Sequence, residues 1–169
     1  MSGRSDELAL RRKATFRAHG RQIVLVKRPY ERASHVIMKA LLWALYLPQY
    51  PDLTVEVSIG DRYKPDVVSL DAQGRPRFWG EAGQVSPAKV QALVTRYRDT
   101  HLALAKWDAL MAPFTEMVDK ALRRSAQRGI ARGAPFDLLC FPADSAERFI
   151  DARGEIRITH DDLEWRRWG

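Results

Sequence analysis

The order of apolar and polar residues predicts a strand hairpin followed by a long helix. Residues 14–19 and 22–27 are rich in Ile, Val and Phe and are separated by only a short turn, which is typical of a hairpin. From 29 to 47 apolar residues recur every three to four positions, as on one face of a helix. We therefore predict a helix over 29–47, with Pro29 in its first turn and Glu31 on its buried stripe.

The rest of the chain alternates between strand and helix patterns. The predicted elements are strands at 53–59, 63–70 and 75–80, a helix from Ser86, a strand at 100–107, a helix to about Arg124 and a strand at 135–141. Two similar turns, 71–74 and 151–154, each end in glycine, and the second joins predicted strands at 148–150 and 155–159. The order predicts an α/β (α+β) fold with a mixed central sheet flanked by helices and with N-terminal and C-terminal hairpin additions.

Composition limits the class of protein. The chain has 169 residues, of which 46% are hydrophobic and 29% charged, as in an ordinary globular domain. We predict one domain over 14–169, preceded by a flexible basic arm at 1–13. The single cysteine, Cys140, excludes an internal disulfide framework. Because no apolar run is long enough to span a bilayer and 1–13 lack a signal-peptide pattern, we expect no membrane partner and a cytoplasmic location.

The charge balance favours an anionic partner. The formal net charge is +7, and an excess of this size favours nucleic acid binding. We predict that a basic run and one strand-flanking lysine contact phosphates. These residues are Lys64, Lys120, Arg123, Arg124 and Arg128, with Arg132 at the end of the run. The alternative is that the run is a solvated helix surface.

Three carboxylates are placed so that they can act together. Asp66 enters the second predicted strand of the three, and Glu81 ends the third. The hairpin between them brings these acids to one end of the sheet, and Glu31 faces the same sheet. Carboxylates that lie close together repel, and a bound Mg²⁺ removes that cost and activates water. Alternatively, Glu31 stabilises the first turn of the helix, and Asp66 pairs with a neighbouring basic residue.

The motifs around these acids resemble a known group of enzymes. Pro65-Asp66, then Glu81 after a fourteen-residue gap on a neighbouring strand, then a helix, resemble the PD-(D/E)XK nuclease superfamily. Pro29-Tyr30-Glu31 at the start of a Leu/Trp-rich helix, and Glu81-Ala82-Gly83 followed by a lysine-bearing helix, are similar to the bacterial YaeQ family. The resemblance extends from about Ala14 to Trp168 and implies a restriction-endonuclease-like core.

The resemblance also implies a chemistry. Asp66 and Glu81 are then ligands of one or two Mg²⁺ or Mn²⁺ ions, and Glu31 is a further ligand or orients water. The superfamily lysine that positions the attacking water is replaced here by Gly83. Lys89 at the start of the next helix is the first substitute, and Gln84 is the second. Lys89 has a plain alternative as a solvated helix residue.

These observations leave different functions open. The first is a magnesium-dependent nuclease-like protein that cleaves phosphodiester bonds in nucleic acid, DNA in preference to RNA. The second is a catalytically inactive nuclease fold that binds nucleic acid or a protein partner, which the glycine at position 83 favours. A protein-interaction module that uses the sheet edge or the tryptophans Trp165 and Trp168 is the third. The oligomeric state is not predicted.

Overall fold

A computed structural model describes residues 12–169 of the chain. The predicted basic arm, 1–13, lies outside the described residues except for Arg12 and Lys13. Lys13 already pairs in the first strand, so the ordered hairpin begins one residue earlier than predicted.

The elements alternate as the sequence indicates. The strands are β1 (Lys13–Ala18), β2 (Arg21–Val26), β3 (Thr54–Val55), β4 (Val67–Leu70), β5 (Pro76–Ala82), β6 (His101–Trp107), β7 (Phe136–Phe141) and β8 (Glu164–Trp168). The helices are α1 (Ala33–Tyr46), α2 (Pro87–Arg96), α3 (Ala112–Gln127) and the short α4 (Ser145–Phe149), with a 3₁₀ turn at His160–Asp162. Within residues 12–169, no helix has both the length and the apolarity needed to cross a bilayer.

A mixed six-stranded sheet forms the centre of the molecule. Its strands follow one another in the order β3-β4-β5-β6-β7-β8. The pairs β5–β6 and β6–β7 are parallel, and the other pairs are antiparallel. The parallel connections run through α2 and α3, as a crossover between parallel strands requires. The predicted mixed sheet with flanking helices and an N-terminal hairpin is confirmed.

Each face of the sheet packs against its own layer. On one face, α1 and the β1–β2 hairpin cover Phe78, Ala82 and Ala105 in the larger core. On the other face, α2 and α3 cover Trp79 and Leu104. Alternating residues of a strand point to opposite faces, so Trp79 and Glu81 share the face that α2 and α3 cover.

Three predicted element boundaries are wrong near the predicted acids. The second strand of the three begins at Val67 rather than at 63, so Asp66 directly precedes it. The helix begins at Ala33 rather than at Pro29, because 28–31 form a turn in which the Glu31 N–H donates to the Arg28 carbonyl. Glu31 therefore precedes α1 and is not in its first turn. The first strand of the three is only β3, because Glu56 adopts a left-handed backbone with φ of 56° and turns the chain away.

The predicted C-terminal hairpin is present but is shorter than expected. Residues 145–149 form α4, and a single antiparallel bridge joins Ile150 to Ile156. The connecting turn packs against β1, where the Arg17 N–H donates to the carbonyl of Gly154. The predicted turn at 151–154 is present, and Gly154 has φ of 80°. This segment therefore fastens the hairpin to the domain rather than extending the sheet.

Gly154→Ala is expected to destabilise the protein by about 2 kcal/mol, because a Cβ there combines a left-handed backbone with overpacking. That Cβ would press into the carbonyl oxygen of Thr15. Denaturant unfolding measures the change. The matched control is Gly74→Ala at the corresponding turn position, where φ is 77° and no atom lies within 4 Å of the added carbon. Equal losses in the two variants would show that the contact with Thr15 is unimportant.

One buried acid ties four elements together away from the predicted site. Asp137 of β7 is fully buried and accepts hydrogen bonds from Tyr46 of α1 (2.6 Å) and from Arg167 Nε of β8 (2.8 Å). The ring Nε2 of His101 in β6 lies 2.7 Å from its Oδ2. These bonds hold the pKa of Asp137 far below its usual range although burial alone raises it. The network lies at the amino ends of β6 and β7, away from the predicted acids, and we assign it a structural role.

Candidate functional site

Asp66 and Glu81 lie together where β4 begins and β5 ends. The Asp66 N–H donates to the carbonyl of Gly80 (3.1 Å), and its Oδ2 accepts the N–H of Ala82 (2.8 Å). Asp66 is thus bonded to the residues on either side of Glu81. The β4–β5 hairpin brings the two acids together, as the spacing predicts.

Glu81 is held on the face that α2 covers. Its Oε1 accepts a hydrogen bond from Trp79 Nε1 (2.8 Å) and lies 2.9 Å from Lys89 Nζ. Glu81 is only 6% exposed. Burial raises its pKa, and the charge of Asp66 raises it further, against the opposing bonds from Trp79 and Lys89. The site therefore holds a carboxylate in a place that disfavours its charge, which is common at functional sites.

Lys89 reaches this acid from the first turn of α2. Ser86 caps the helix by accepting the Lys89 N–H (3.1 Å), and Pro87 follows the cap, as the sequence predicts. The Lys89 ammonium group also lies 5.2 Å from the ring centroid of Tyr63. The structure thus brings together three of the predicted residues: Asp66, Glu81 and Lys89.

Glu31 pairs with Lys39, whereas Glu81 pairs with Lys89. Its Oε2 accepts a hydrogen bond from Lys39 Nζ (2.6 Å), and its Oε1 accepts the N–H of Arg28 (3.2 Å). Lys39 Nζ also lies 2.5 Å from Glu56 Oε1. Burial raises the pKa of Glu31, but the bonds from Lys39 and Arg28 outweigh it, so the pKa is lowered. Glu31 is consequently committed to a buried ion-pair cluster.

His35 links the two groups of acids. Its Nδ1 lies 2.6 Å from Glu31 Oε2, and its Nε2 lies 3.7 Å from Asp66 Oδ2. The nearby Asp66 carboxylate raises the pKa of His35 against the effect of burial, and Glu31 adds to that rise. His35 is hydrogen-bonded to Glu31 and lies between Glu31 and Asp66.

Lys39→Met is expected to cost about 2 kcal/mol of unfolding free energy, because it leaves Glu31 and Glu56 without their shared cation. The acids retain partial exposure, 10% and 28% of their side chains, which keeps the loss below that of a fully buried pair. Urea unfolding measures it. Lys120→Met, at an exposed position on α3, serves as the control and should change stability by less than about 0.5 kcal/mol.

Two of the three predicted carboxylates suit a divalent metal ion. Among residues 12–169, no group of three or more His, Cys, Asp and Glu side chains is spaced to hold a metal ion. Within the same residues, Oδ1 of Asp66 and Oε2 of Glu81 accept no hydrogen bond, since the bonds end on Oδ2 and Oε1. Mg²⁺ takes one or two protein carboxylates and completes its shell with water and phosphate. These two carboxylates suit such a site, and Glu31 is not arranged to be a third ligand.

An open cleft gives access to the Asp66 side of this site. It has a volume of about 420 Å³, and its lining includes Arg28, Tyr30, His35, Lys64 and Asp66. The side chains of Tyr30 and Lys64 are exposed. The predicted phosphate contact Lys64 therefore lies at the entrance to the acids.

Most of the remaining predicted residues lie at the surface. Gln84 is exposed just beyond β5, and Gly83 has φ of 89° with its missing side chain facing His35. The basic residues of α3 and its end are exposed: Lys120, Arg123, Arg124 and Arg128. Arg132 is different, because its guanidinium donates to the carbonyls of Tyr97 (2.9 Å) and Thr100 (2.6 Å). Its inclusion in the basic run was wrong, and it stabilises the α2–β6 connection.

The solved structures that resemble this one include two YaeQ proteins. The crystal structure of a YaeQ protein from Pseudomonas syringae has a TM-score of 0.56 at 15% identity, over 79% of this chain and 68% of that one. The fold is YaeQ-like. The YaeQ protein from Xanthomonas axonopodis pv. citri has a TM-score of 0.47 at 18% identity, over 76% of this chain and 72% of that one. No protein-family model and no curated protein sequence matches the chain.

The YaeQ-like fold includes site residues that the sequence patterns did not single out. Lys39 and Glu56 complete the ion-pair cluster with Glu31. Lys106 of β6 donates to the carbonyl of Gly83 (2.6 Å). Lysines within the apolar runs of α1 and β6 are the signal that could have identified two of these residues, since lysine is rarely fully buried.

Proposed function

We propose that this protein is a divalent-metal-dependent nuclease that hydrolyses phosphodiester bonds in nucleic acid, with Asp66 and Glu81 as the metal ligands. One observation carries the proposal: Asp66 is hydrogen-bonded to both neighbours of the buried Glu81. Two carboxylates in such proximity repel, and a divalent cation between them removes that cost. The PD-(D/E)XK resemblance of Pro65-Asp66 and Glu81 supports the same reaction class.

The bound ion, Mg²⁺ or Mn²⁺, would supply an activated water and would stabilise negative charge on the phosphate. Asp66 and Glu81 would hold it through Oδ1 and Oε2, the oxygens that their protein hydrogen bonds leave open. Trp79 and Lys89 fix the orientation of Glu81 through its other oxygen. This preorganisation limits the movement needed when substrate binds.

The other side chains have supporting roles in this proposal. Lys89 steadies the attacking water, since its ammonium group already lies 2.9 Å from Glu81. Glu31 acts as a positioning residue, because it contacts His35 and His35 faces Asp66. Gln84, exposed beyond β5, is a further contact for substrate. None of these roles requires a lysine at position 83.

The proposed substrate is nucleic acid, DNA in preference to RNA, held mainly through its phosphates. Lys64 lies at the entrance of the cleft. The exposed cations belong to α3, the helix that covers the opposite face of the sheet from α1. Contacts of this kind give binding that weakens steeply with salt and carries no base sequence information.

Cleavage assays test the proposal directly. Supercoiled plasmid and single-stranded oligonucleotides are incubated with the protein in Mg²⁺, in Mn²⁺ and in EDTA. We expect products with either metal and none in EDTA. A complete lack of products with both metals and both substrates would contradict it.

A second candidate function is nucleic acid binding without catalysis. It is favoured by the cations that already occupy the acids, Lys39 on Glu31 and Lys89 on Glu81. Gel-shift assays across a salt series separate the two functions. A binder without catalysis gives retarded complexes whose affinity falls with salt, and the oligonucleotide remains intact after long incubation with metal.

A further inference from the structure

We propose that the ammonium group of Lys106 is a phosphate contact of the substrate site, directly behind Phe114, which lines a groove between α2 and α3. The inference rests on the proposed function, because it takes a nucleic acid backbone as the ligand. The inference adds one contact residue and a path for the nucleic acid strand, neither of which follows from the acids or from the basic run.

Lys106 is a buried cation that has no carboxylate partner among residues 12–169. It is 6% exposed, it donates to the carbonyl of Gly83, and its Nζ lies 4.2 Å from the ring centroid of Phe114. Within residues 12–169 no carboxylate oxygen lies within 4.0 Å of this group. Burial accordingly lowers its pKa. A carbonyl and an aromatic ring compensate a buried ammonium only in part, so this position is suited to receive an anion.

A second buried lysine in the described part of the chain is the internal comparison. Lys39 is also buried, but Glu31 and Glu56 both pair with it. The same fold therefore supplies two carboxylates to a lysine that has a structural role. Lys106 lacks such a pair, which separates it from an ordinary structural ion pair.

Lys106 lies close to the proposed metal ligands. It is the penultimate residue of β6 and lies beside Gly83. On the parallel strand next to β5, it is two residues beyond Leu104, the residue that pairs with Glu81. Leu102 and Leu104 belong to the core under α2 and α3, and strand alternation puts Lys106 on that same face. Open α/β sheets bind ligands at the carboxyl ends of their parallel strands, which is where Lys106 lies.

A surface groove reaches Phe114, the residue whose ring contacts this ammonium group. It has a volume of about 360 Å³ and lies between α2 and α3, with Phe114 in its lining. Phe114 therefore borders the groove and contacts the Lys106 ammonium. The groove is also lined by the cations Lys120 and Arg124, by the acid Glu116 and by apolar side chains that include Val85 and Met117. From Phe114 to Arg124 the helix extends about 15 Å, so its cations line a path along which phosphates can lie.

The test is a binding measurement that needs no cleavage. A fluorescein-labelled twelve-residue oligo(dT) is titrated with protein in EDTA at low salt, and anisotropy gives the dissociation constant. Lys106→Met is expected to weaken binding about tenfold, the value of one charge-assisted hydrogen bond. Lys13→Met is the matched control, because it removes the same charge from the β1–β2 hairpin on the opposite face of the sheet. It should change affinity less than about twofold.

Stability separates a phosphate contact from a structural contact. Methionine removes an uncompensated buried charge, so Lys106→Met should melt at the same temperature as the wild type or higher. A lowered melting temperature with unchanged binding would overturn the proposal and make Lys106 a structural tie to Gly83. Unchanged binding at unchanged stability would overturn it as well.

A measurement on the wild-type protein covers the case in which the variant does not fold. The acetylation rates of Lys106 and Lys13 are compared by mass spectrometry with and without the same oligonucleotide. Protection of Lys106 alone supports the proposal, and equal rates for Lys106 in both conditions contradict it. If the oligonucleotide protects Lys106 but no metal promotes cleavage, the nuclease proposal fails and the Lys106 proposal stands. If the protein cleaves nucleic acid but its binding does not depend on Lys106, the nuclease proposal stands and the Lys106 proposal fails.

Discussion

Glu81→Ala is expected to lower metal-dependent cleavage on the order of 10³-fold, because it removes a ligand of the ion that activates water and stabilises the phosphate. The measurement is the initial rate of oligonucleotide cleavage at saturating Mn²⁺. Glu147→Ala is the control, since Glu147 is an exposed acid on α4 and should leave the rate unchanged. Equal rates for the wild type and Glu81→Ala would remove Glu81 from the reaction.

The conservative variant Glu81→Gln separates loss of activity from loss of fold. The pKa of Glu81 is raised in the folded protein, so the ionised group costs stability at every pH above that raised value. Glutamine keeps the shape without the charge, and Glu81→Gln is expected to melt at the same temperature as the wild type or higher. Mn²⁺ should raise the melting temperature of the wild type and not of Glu81→Gln, because only a protein that binds the ion is stabilised by it.

The fold was predictable because its patterns are local. The α1 stripe, the Ser86-Pro87 start of α2 and the apolar run of β7 each carry their own signal. The errors fall where tertiary contacts override those signals. Glu31 fits the helical spacing with His35, yet it precedes α1 because Lys39 and Arg28 bind its carboxylate.

The candidate site was predictable only in part. Asp66 and Glu81 meet because a hairpin connects their strands, and sequence alone indicates that hairpin. Glu56 follows β3 and Lys106 lies in β6. No spacing pattern in the sequence connects either residue with the acids. We predicted that Glu31 lies next to the other two acids because it was placed on α1. In the structure, the His35 side chain lies between Glu31 and Asp66. Long-range ion pairs of this kind require the coordinates.

Asp137→Asn is expected to destabilise the protein by about 2 to 3 kcal/mol, because it removes a fully buried charge from its hydrogen-bond network, whereas the 38% exposure of the Arg167 side chain keeps the loss below that of a fully buried ion pair. Asp137 is fully buried, and Tyr46, His101 and Arg167 all direct polar atoms to its carboxylate. An amide has no charge to pair with Arg167 and presents donors where acceptors are needed. Urea unfolding at pH 7 measures the loss. Asp144→Asn, at an exposed position three residues beyond β7, is the control and should lie within about 0.5 kcal/mol of the wild type.

The same acid predicts how stability depends on pH. The folded pKa of Asp137 is held well below its unfolded value by Arg167, His101 and Tyr46. The stabilisation is therefore complete above the unfolded pKa of about 3.9 and is lost as the pH falls through the folded value. The difference in unfolding free energy between the wild type and Asp137→Asn should be constant from pH 7 to about 5 and should shrink below pH 4. A difference that stays constant down to pH 2 would mean that the ionised carboxylate is not what holds α1, β6, β7 and β8 together.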